Sequence, residues 1–262
     1  MDVVAHPRPH LLARGWHRAV LLDHLDSLAS ASHLLLLPGL DGTGDLFTPL
    51  RKHLPPNLQV HGVRYSPDSM QDPNALLAQI LEVIPPGTPH FVVAESFSGP
   101  LAIRYAAQRS ADVKGLILAA TYLRNPLVWY LRWLPHLANR WCFSRLSSKL
   151  AARGFLLNAR AKASDIEAVQ NAMHKVSPKV LAHRVRGLPR LDVTEEFTRL
   201  KMPMLYLLAK QDRLIGRRGL RQMQEHRPDL SVCALDSPHL ILQDQPQACV
   251  AAIEAMRTDK LP

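Results

Sequence analysis

The chain of 262 residues has no apolar run long enough to cross a bilayer; its longest, such as "HLLLLPGL" and "KGLILAAT", are strand-length. A helical integral membrane protein is excluded on that ground. Cysteine is scarce. Cys142, Cys233 and Cys249 are odd in number, widely spaced and without a C-x-x-C pair, so neither a disulfide framework nor a zinc site is indicated. A reducing cytoplasm is the default compartment. The 13 histidines are scattered without H-E-x-x-H or other ligand spacing, so no metal is assigned and no cofactor is expected. Internal repeats and low-complexity tracts are absent. The opening stretch "MDVVAHPRPHLLARGWHRAVLLDHLDSLAS" interrupts its apolar residues with Arg14, His17 and Arg18 and lacks an A-x-A cleavage site. Residues 1–32 are therefore read as an N-terminal extension with no assigned element.

What is present is globular: 47% hydrophobic and 21% charged residues, enough to bury one large core. Strand-like apolar segments fall near 33–38, 58–64, 90–95, 114–120, 203–209 and 230–235, and helical patterns such as "PNALLAQILEVI" and "PLAIRYAAQRS" lie between them. Strands that are apolar throughout and alternate with helices point to a mostly parallel sheet covered on both faces. Right-handed crossovers make that a doubly wound α/β fold. The alternation lapses over 122–195, which reads as an inserted helical lid between core segments 33–121 and 196–262. Charge is concentrated there too. Residues 124–187 hold 12 Lys/Arg against 2 Asp/Glu, while the remainder balances at 20 of each, so the net charge of +10 belongs to this segment.

In an open α/β sheet, ligands bind beyond the carboxyl ends of the strands. The segment "FVVAESFSGPLA" puts Ser96 at such an end, in a strand–turn–helix setting. Both glycines of the G-x-S-x-G pattern are missing, yet a tight elbow requires small residues rather than glycine as such, and Ala94, Ser98 and Gly99 are small. Pro100 falls in the first helical turn, where its missing N–H costs little. Asp212, in "KQDRLIG", and His239, in "SPHLILQDQP", follow the next two strands. The chain order serine, acid, histidine is the one this fold uses for a nucleophile, its orienting carboxylate and its base. After the first strand, "PGLDGTG" offers the N–H of Leu40 to a developing oxyanion, with Phe97 N–H as the second donor. Such donors contribute about 3 kcal/mol each to lowering a barrier. No G-K-[ST] follows these glycines, so a phosphate loop is excluded. Glu95 neighbours Ser96, but adjacent strand residues face opposite ways, and it reads as structural.

With these residues in view, the chain from about residue 33 onward resembles the α/β-hydrolase superfamily. "PGLDGTG" and "AESFSG" are most similar to small bacterial carboxylesterases and lysophospholipase-like members, and to plastid ester synthases with a hydrolase-like acyltransferase domain. The resemblance implies a Ser96–His239–Asp212 triad with Leu40 and Phe97 as backbone donors. The chain departs from the pattern where Pro38 replaces the usual histidine of the oxyanion motif. It also lacks a counterpart, before residue 33, of the first two strands common in the superfamily, which implies a shortened sheet.

A serine nucleophile points to acyl transfer through an acyl-enzyme. The expected activity is a serine carboxylesterase acting on monoesters with short to medium acyl chains. An acyltransferase or lysophospholipase-type esterase on the same triad is the alternative, and a non-catalytic ligand-binding homologue is the rival from another class. In the lid, "NPLVWYLRWLPHLANRWCF" brings Trp129, Trp133 and Trp141 together with arginines. Aromatics turned inward around an acyl pocket are the favoured reading, and weak contact with a lipid interface is the other. No nucleic-acid reader motif accompanies the charge.

Overall fold

A computed structural model of the chain describes residues 11–12, 32–125, 134–138, 140, 143, 156–157 and 162–258. Seven strands form one sheet: β1 (Leu11–Leu12), β2 (His33–Leu37), β3 (Gln59–Gly62), β4 (His90–Glu95), β5 (Val113–Ala119), β6 (Met204–Ala209) and β7 (Ser231–Leu235). Their spatial order is β1-β7-β6-β5-β4-β2-β3. All neighbouring pairs are parallel except β1 with β7, where Leu11 and Leu12 pair antiparallel with Cys233 and Val232. The doubly wound, mostly parallel sheet expected from the alternation is the observed one. The strand at Leu11–Leu12 falls within the extension 1–32, where the sequence shows no element, because two residues are too few to display a strand period.

Burial on both faces explains the unbroken apolar strands. In β2 the consecutive Leu34, Leu35, Leu36 and Leu37 are all fully buried, and successive side chains enter opposite layers. Leu35 and Leu37 join a core with Val92, Ala94, Leu116, Leu118 and Tyr206, whereas Leu34 and Leu36 join another with Val93, Ile117, Leu205 and Cys233. Each such leucine contributes roughly 1.5–3 kcal/mol of transfer free energy. The first layer is covered by α1 (Pro73–Leu81), α2 (Gly99–Gln108), α5 (Thr194–Arg199) and α6 (Arg217–Gln224), and the second by α7 (Pro246–Arg257). Helix α1 starts at a clear signal: Asp72 accepts from Ala75 N–H at 2.8 Å, and Pro73 opens the first turn.

Between β5 and β6 the described residues include α3 (Ala163–His174) and α4 (Pro178–Gly187). The two stems of this segment meet at an isolated β-bridge, Arg124 with Asp192, and Val193 N–H donates to Leu123 O at 3.1 Å. Helix α3 packs Ile166, Val169 and Ala172 against Leu46 and Leu240 from the loops after β2 and β7. Helix α4 gathers Val180, Leu181 and Ala182 around Ala138 and Phe143, with Leu40 at the edge of that cluster.

The winding direction of the chain reverses between β2 and β4, neighbours that carry the loops of Leu40 and Ser96 at their carboxyl ends. Such a switch point opens a crevice above the sheet.

Candidate active site

Strand β4 ends at Glu95, and Ser96 turns sharply with φ of 50°, a left-handed conformation uncommon for a residue with a side chain. A strained backbone at one position costs about 1–3 kcal/mol and persists only where its surroundings enforce it. Here they do: Thr121 Oγ1 donates to Ser96 O at 2.6 Å, and the turn passes directly into α2. The position that demands glycine is Gly99. A Cβ there would meet the side chain of Thr121, with Cγ2 at 2.6 Å and Cβ at 2.7 Å. Ser98 is more than a small residue. Its Oγ donates to Pro38 O and accepts from Tyr65 OH at 2.7 Å, which ties the elbow to the loop after β2.

His239 stands between Ser96 and Asp212. Its Nε2 lies 2.8 Å from Ser96 Oγ, and its Nδ1 lies 2.9 Å from Asp212 Oδ2. Asp212 also accepts at Oδ1 from the N–H groups of Leu214 (2.8 Å) and Ile215 (3.1 Å). Burial pushes its pKa up, but the hydrogen bond and charge of His239 and those two N–H groups prevail, and the net shift is downward. Asp212 therefore stays ionised and accepts from His239 Nδ1–H, which turns Nε2 toward the Ser96 hydroxyl. The three residues expected after β4, β6 and β7 are brought together.

The loop after β2 folds back through Gly42 N–H donating to Gly39 O at 3.1 Å. Thr43 caps Asp41 Oδ2 with its N–H (2.9 Å) and hydroxyl (2.5 Å). One residue in this loop's surroundings escaped sequence reasoning: Arg184 of α4. It is buried and donates through Nη1 to Leu40 O (2.8 Å) and Asp41 O (2.9 Å), and through Nη2 to Ser66 O (3.0 Å). Its guanidinium also lies over the Tyr65 ring, 5.5 Å from the centroid. Gly42, with φ of 69°, leaves room for this clamp, since a Cβ would lie 2.7 Å from Arg184 Nη1. A signal existed. Arg184 follows Val180 by four residues and Leu181 by three, so it is a charge on the apolar face of an amphipathic helix.

Phe97 directly follows Ser96 in the helical turn Ser96–Ser98, and Leu40 lies in the clamped loop after β2, the strand that neighbours β4. Trp129, Trp133 and Trp141 lie outside the described residues. Among the described residues no cluster of three or more His, Cys, Asp or Glu has the arrangement of a metal site, and no helix is long and apolar enough to cross a membrane.

Known proteins place this arrangement in context. A pimeloyl-[acyl-carrier protein] methyl ester esterase from Xanthomonas oryzae pv. oryzae is 26% identical over 215 residues, covering 75% of this chain and 83% of the relative. A thermophilic esterase from Thermogutta terrifontis superposes with a TM-score of 0.70 at 19% identity, covering 88% of this chain and 90% of its own. The enol-lactonase of Burkholderia xenovorans LB400 gives 0.71 at 15% identity, covering 95% and 96%. At such identities the structural likeness concerns the fold. The family model described as "Serine aminopeptidase, S33" matches residues 59–240, a span containing Ser96, Asp212 and His239. The chain belongs to this Hydrolase_4 family, within the α/β-hydrolase superfamily.

Proposed function

We propose that the protein is a serine ester hydrolase that cleaves carboxylic monoesters through an acyl-enzyme on Ser96. The observation that carries this reading is the unbroken chain Asp212–His239–Ser96, with contacts of 2.9 and 2.8 Å, ending on a serine with left-handed backbone. In the first step Ser96 Oγ attacks the ester carbonyl while His239 Nε2 takes its proton. The imidazolium is held by Asp212 Oδ2 through Nδ1–H. Negative charge on the carbonyl oxygen is met by Leu40 and Phe97 N–H. Collapse expels the alcohol, which leaves with the proton from His239. Water then attacks the acyl-enzyme with His239 as base, releasing the acid and restoring Ser96.

Short to medium acyl chains are the proposed substrates, taken up beneath the segment between β5 and β6, which acts as a lid. Methyl esters belong among those tested, because the Xanthomonas relative is named for a methyl ester of a carrier-bound acyl group. If an alcohol replaces water in the second step, the same machinery is an acyltransferase. The protein is proposed to work in the cytoplasm, on a small molecule and without a cofactor.

A fluorophosphonate probe is expected to label Ser96 in folded protein and not Ser96→Ala. Absence of label on the wild-type chain would sink the proposal. p-Nitrophenyl esters of increasing chain length then set the acyl preference, and product analysis with added alcohol separates hydrolysis from transfer.

A further inference from the structure

Glu95 closes β4 immediately before Ser96 and is only 1% exposed. Its Oε2 accepts one hydrogen bond, from Gln243 Nε2 at 3.1 Å. Gln243 comes from the short helix Ile241–Asp244, which starts two residues after His239. The remaining oxygens of the pair, Glu95 Oε1 and Gln243 Oε1, are both sealed from solvent, and neither has a donor among the described residues. An ionised carboxylate offers only acceptors, so in that form the Gln243 amide group satisfies one of three buried oxygens and the other two stay without a donor. Buried polar atoms are rarely left that way, and two orphans in one contacting pair call for a common cause.

A single proton supplies it. A carboxylic acid and a primary amide are complementary: the acid O–H donates to the amide oxygen while the amide N–H donates to the acid carbonyl. We infer that Glu95 is held as a neutral acid, donating from Oε1 to Gln243 Oε1, and that this uncharged pair is a positioning element beneath the nucleophile. The functional part of the inference rests on the reading of Ser96 as nucleophile.

The surroundings agree. Burial pushes Glu95 up to about 7, with the charge of His239 and the Gln243 hydrogen bond opposing and Asp41 reinforcing the rise. The titratable groups facing it are His239 from the loop after β7, Asp41 from the turn after β2, and Cys249 on α7. The Cys249 thiol is itself held protonated, chiefly by burial, with Cys233, Glu95 and Asp244 adding to the effect. Glu95 and Asp41 flank Gly39: a Cβ there would lie 3.9 Å from Glu95 Oε2 and 3.6 Å from Asp41 Oδ1. Gly39 precedes Leu40, whose N–H is the oxyanion donor proposed above. Ionising Glu95 would set a second carboxylate beside Asp41, behind the turn where negative charge must be accommodated. Loss of the proton therefore slows acylation, and the pH–rate profile gains a falling alkaline limb.

Glu95→Gln tests this, because its amide N–H replaces the acid O–H and keeps both bonds to Gln243. At about pH 6 the variant is expected to retain most of the wild-type kcat on a p-nitrophenyl ester. Toward about pH 9 the wild type slows several-fold while the variant does not. Infrared difference spectra give a readout independent of turnover. The wild type at low pH shows the carbonyl band of a buried protonated carboxyl group, which is missing in Glu95→Gln and retained in Ser96→Ala. In Gln243→Met the band persists at higher frequency, since the acid carbonyl has lost its donor. The inference is overturned by a wild type without the band, by a band unmoved in Gln243→Met, or by a Glu95→Gln variant slowed equally at both pH values. The last pattern would make Glu95 a carboxylate supporting the His239 imidazolium. Because Ser96→Ala keeps the band whether or not Ser96 is the nucleophile, failure of the proton assignment is distinguishable from failure of the esterase reading.

Discussion

At the scale of single residues, the elbow shows which part of a motif is chemistry and which is packing. The sequence supports a turn at Ser96 because Ala94, Ser98 and Gly99 are small, yet only the folded chain ranks them. Gly99 faces Thr121 and admits no side chain, while Ser98 is needed for its hydroxyl between Pro38 and Tyr65. Thr121 lies 22 positions from Gly99 and on another strand end, so no local pattern could disclose the contact. Gly99→Ala is expected to destabilise the protein by about 1–3 kcal/mol, the usual cost of overpacking a tight site. Urea denaturation measures it, and adding Thr121→Gly should recover part of the loss despite removing the Thr121–Ser96 hydrogen bond. If the double variant is no more stable than Gly99→Ala alone, steric conflict with Thr121 is not the cause.

At the scale of elements, the meeting of Ser96, Asp212 and His239 is legible because strand ends converge in a parallel sheet. A residue just after β4, β6 or β7 has few other places to go. Arg184 is a different case. It acts on backbone carbonyls of Leu40, Asp41 and Ser66, more than a hundred residues away, and carbonyls carry no sequence signature. Through it, α4 braces the loop that holds the Leu40 N–H. If the Leu40 N–H is the oxyanion donor proposed above, Arg184→Met should lower kcat by about 10- to 100-fold with KM little changed, since such a donor acts mainly in the transition state. Arg184→Lys should rescue little, because one ammonium cannot reproduce the guanidinium fork that spans three carbonyls. Steady-state kinetics on one ester decide the matter, and a variant that raises KM alone would assign Arg184 to substrate binding instead.

At the scale of the whole molecule, the amino ends of the strands carry a separate sensitivity to acid. His90, paired in register with His33, lies between Thr88 O, to which Nδ1–H donates at 2.8 Å, and Tyr105 OH, which donates to Nε2 at 2.8 Å. Both ring nitrogens are occupied by the neutral form, and a second proton would require the Tyr105 hydroxyl to turn its hydrogen away and accept instead. Burial is the first cause that holds its pKa below the ordinary histidine value of 6.5, and Arg109 adds to it against the opposing Thr88 and Asp112. The unfolded chain therefore binds a proton that the folded one refuses, so stability is full above pH 6.5 and declines as pH falls below it. Glu95 contributes the opposite slope, because its folded pKa, about 7, lies above the ordinary 4.5; its share is present at low pH and lost as pH rises through 7. Comparing wild type with His90→Gln cancels the Glu95 contribution. The melting temperature of the wild type should fall relative to that of the variant as pH drops from about 7 to 5. Parallel curves would mean that His90 titrates alike in the folded and unfolded states.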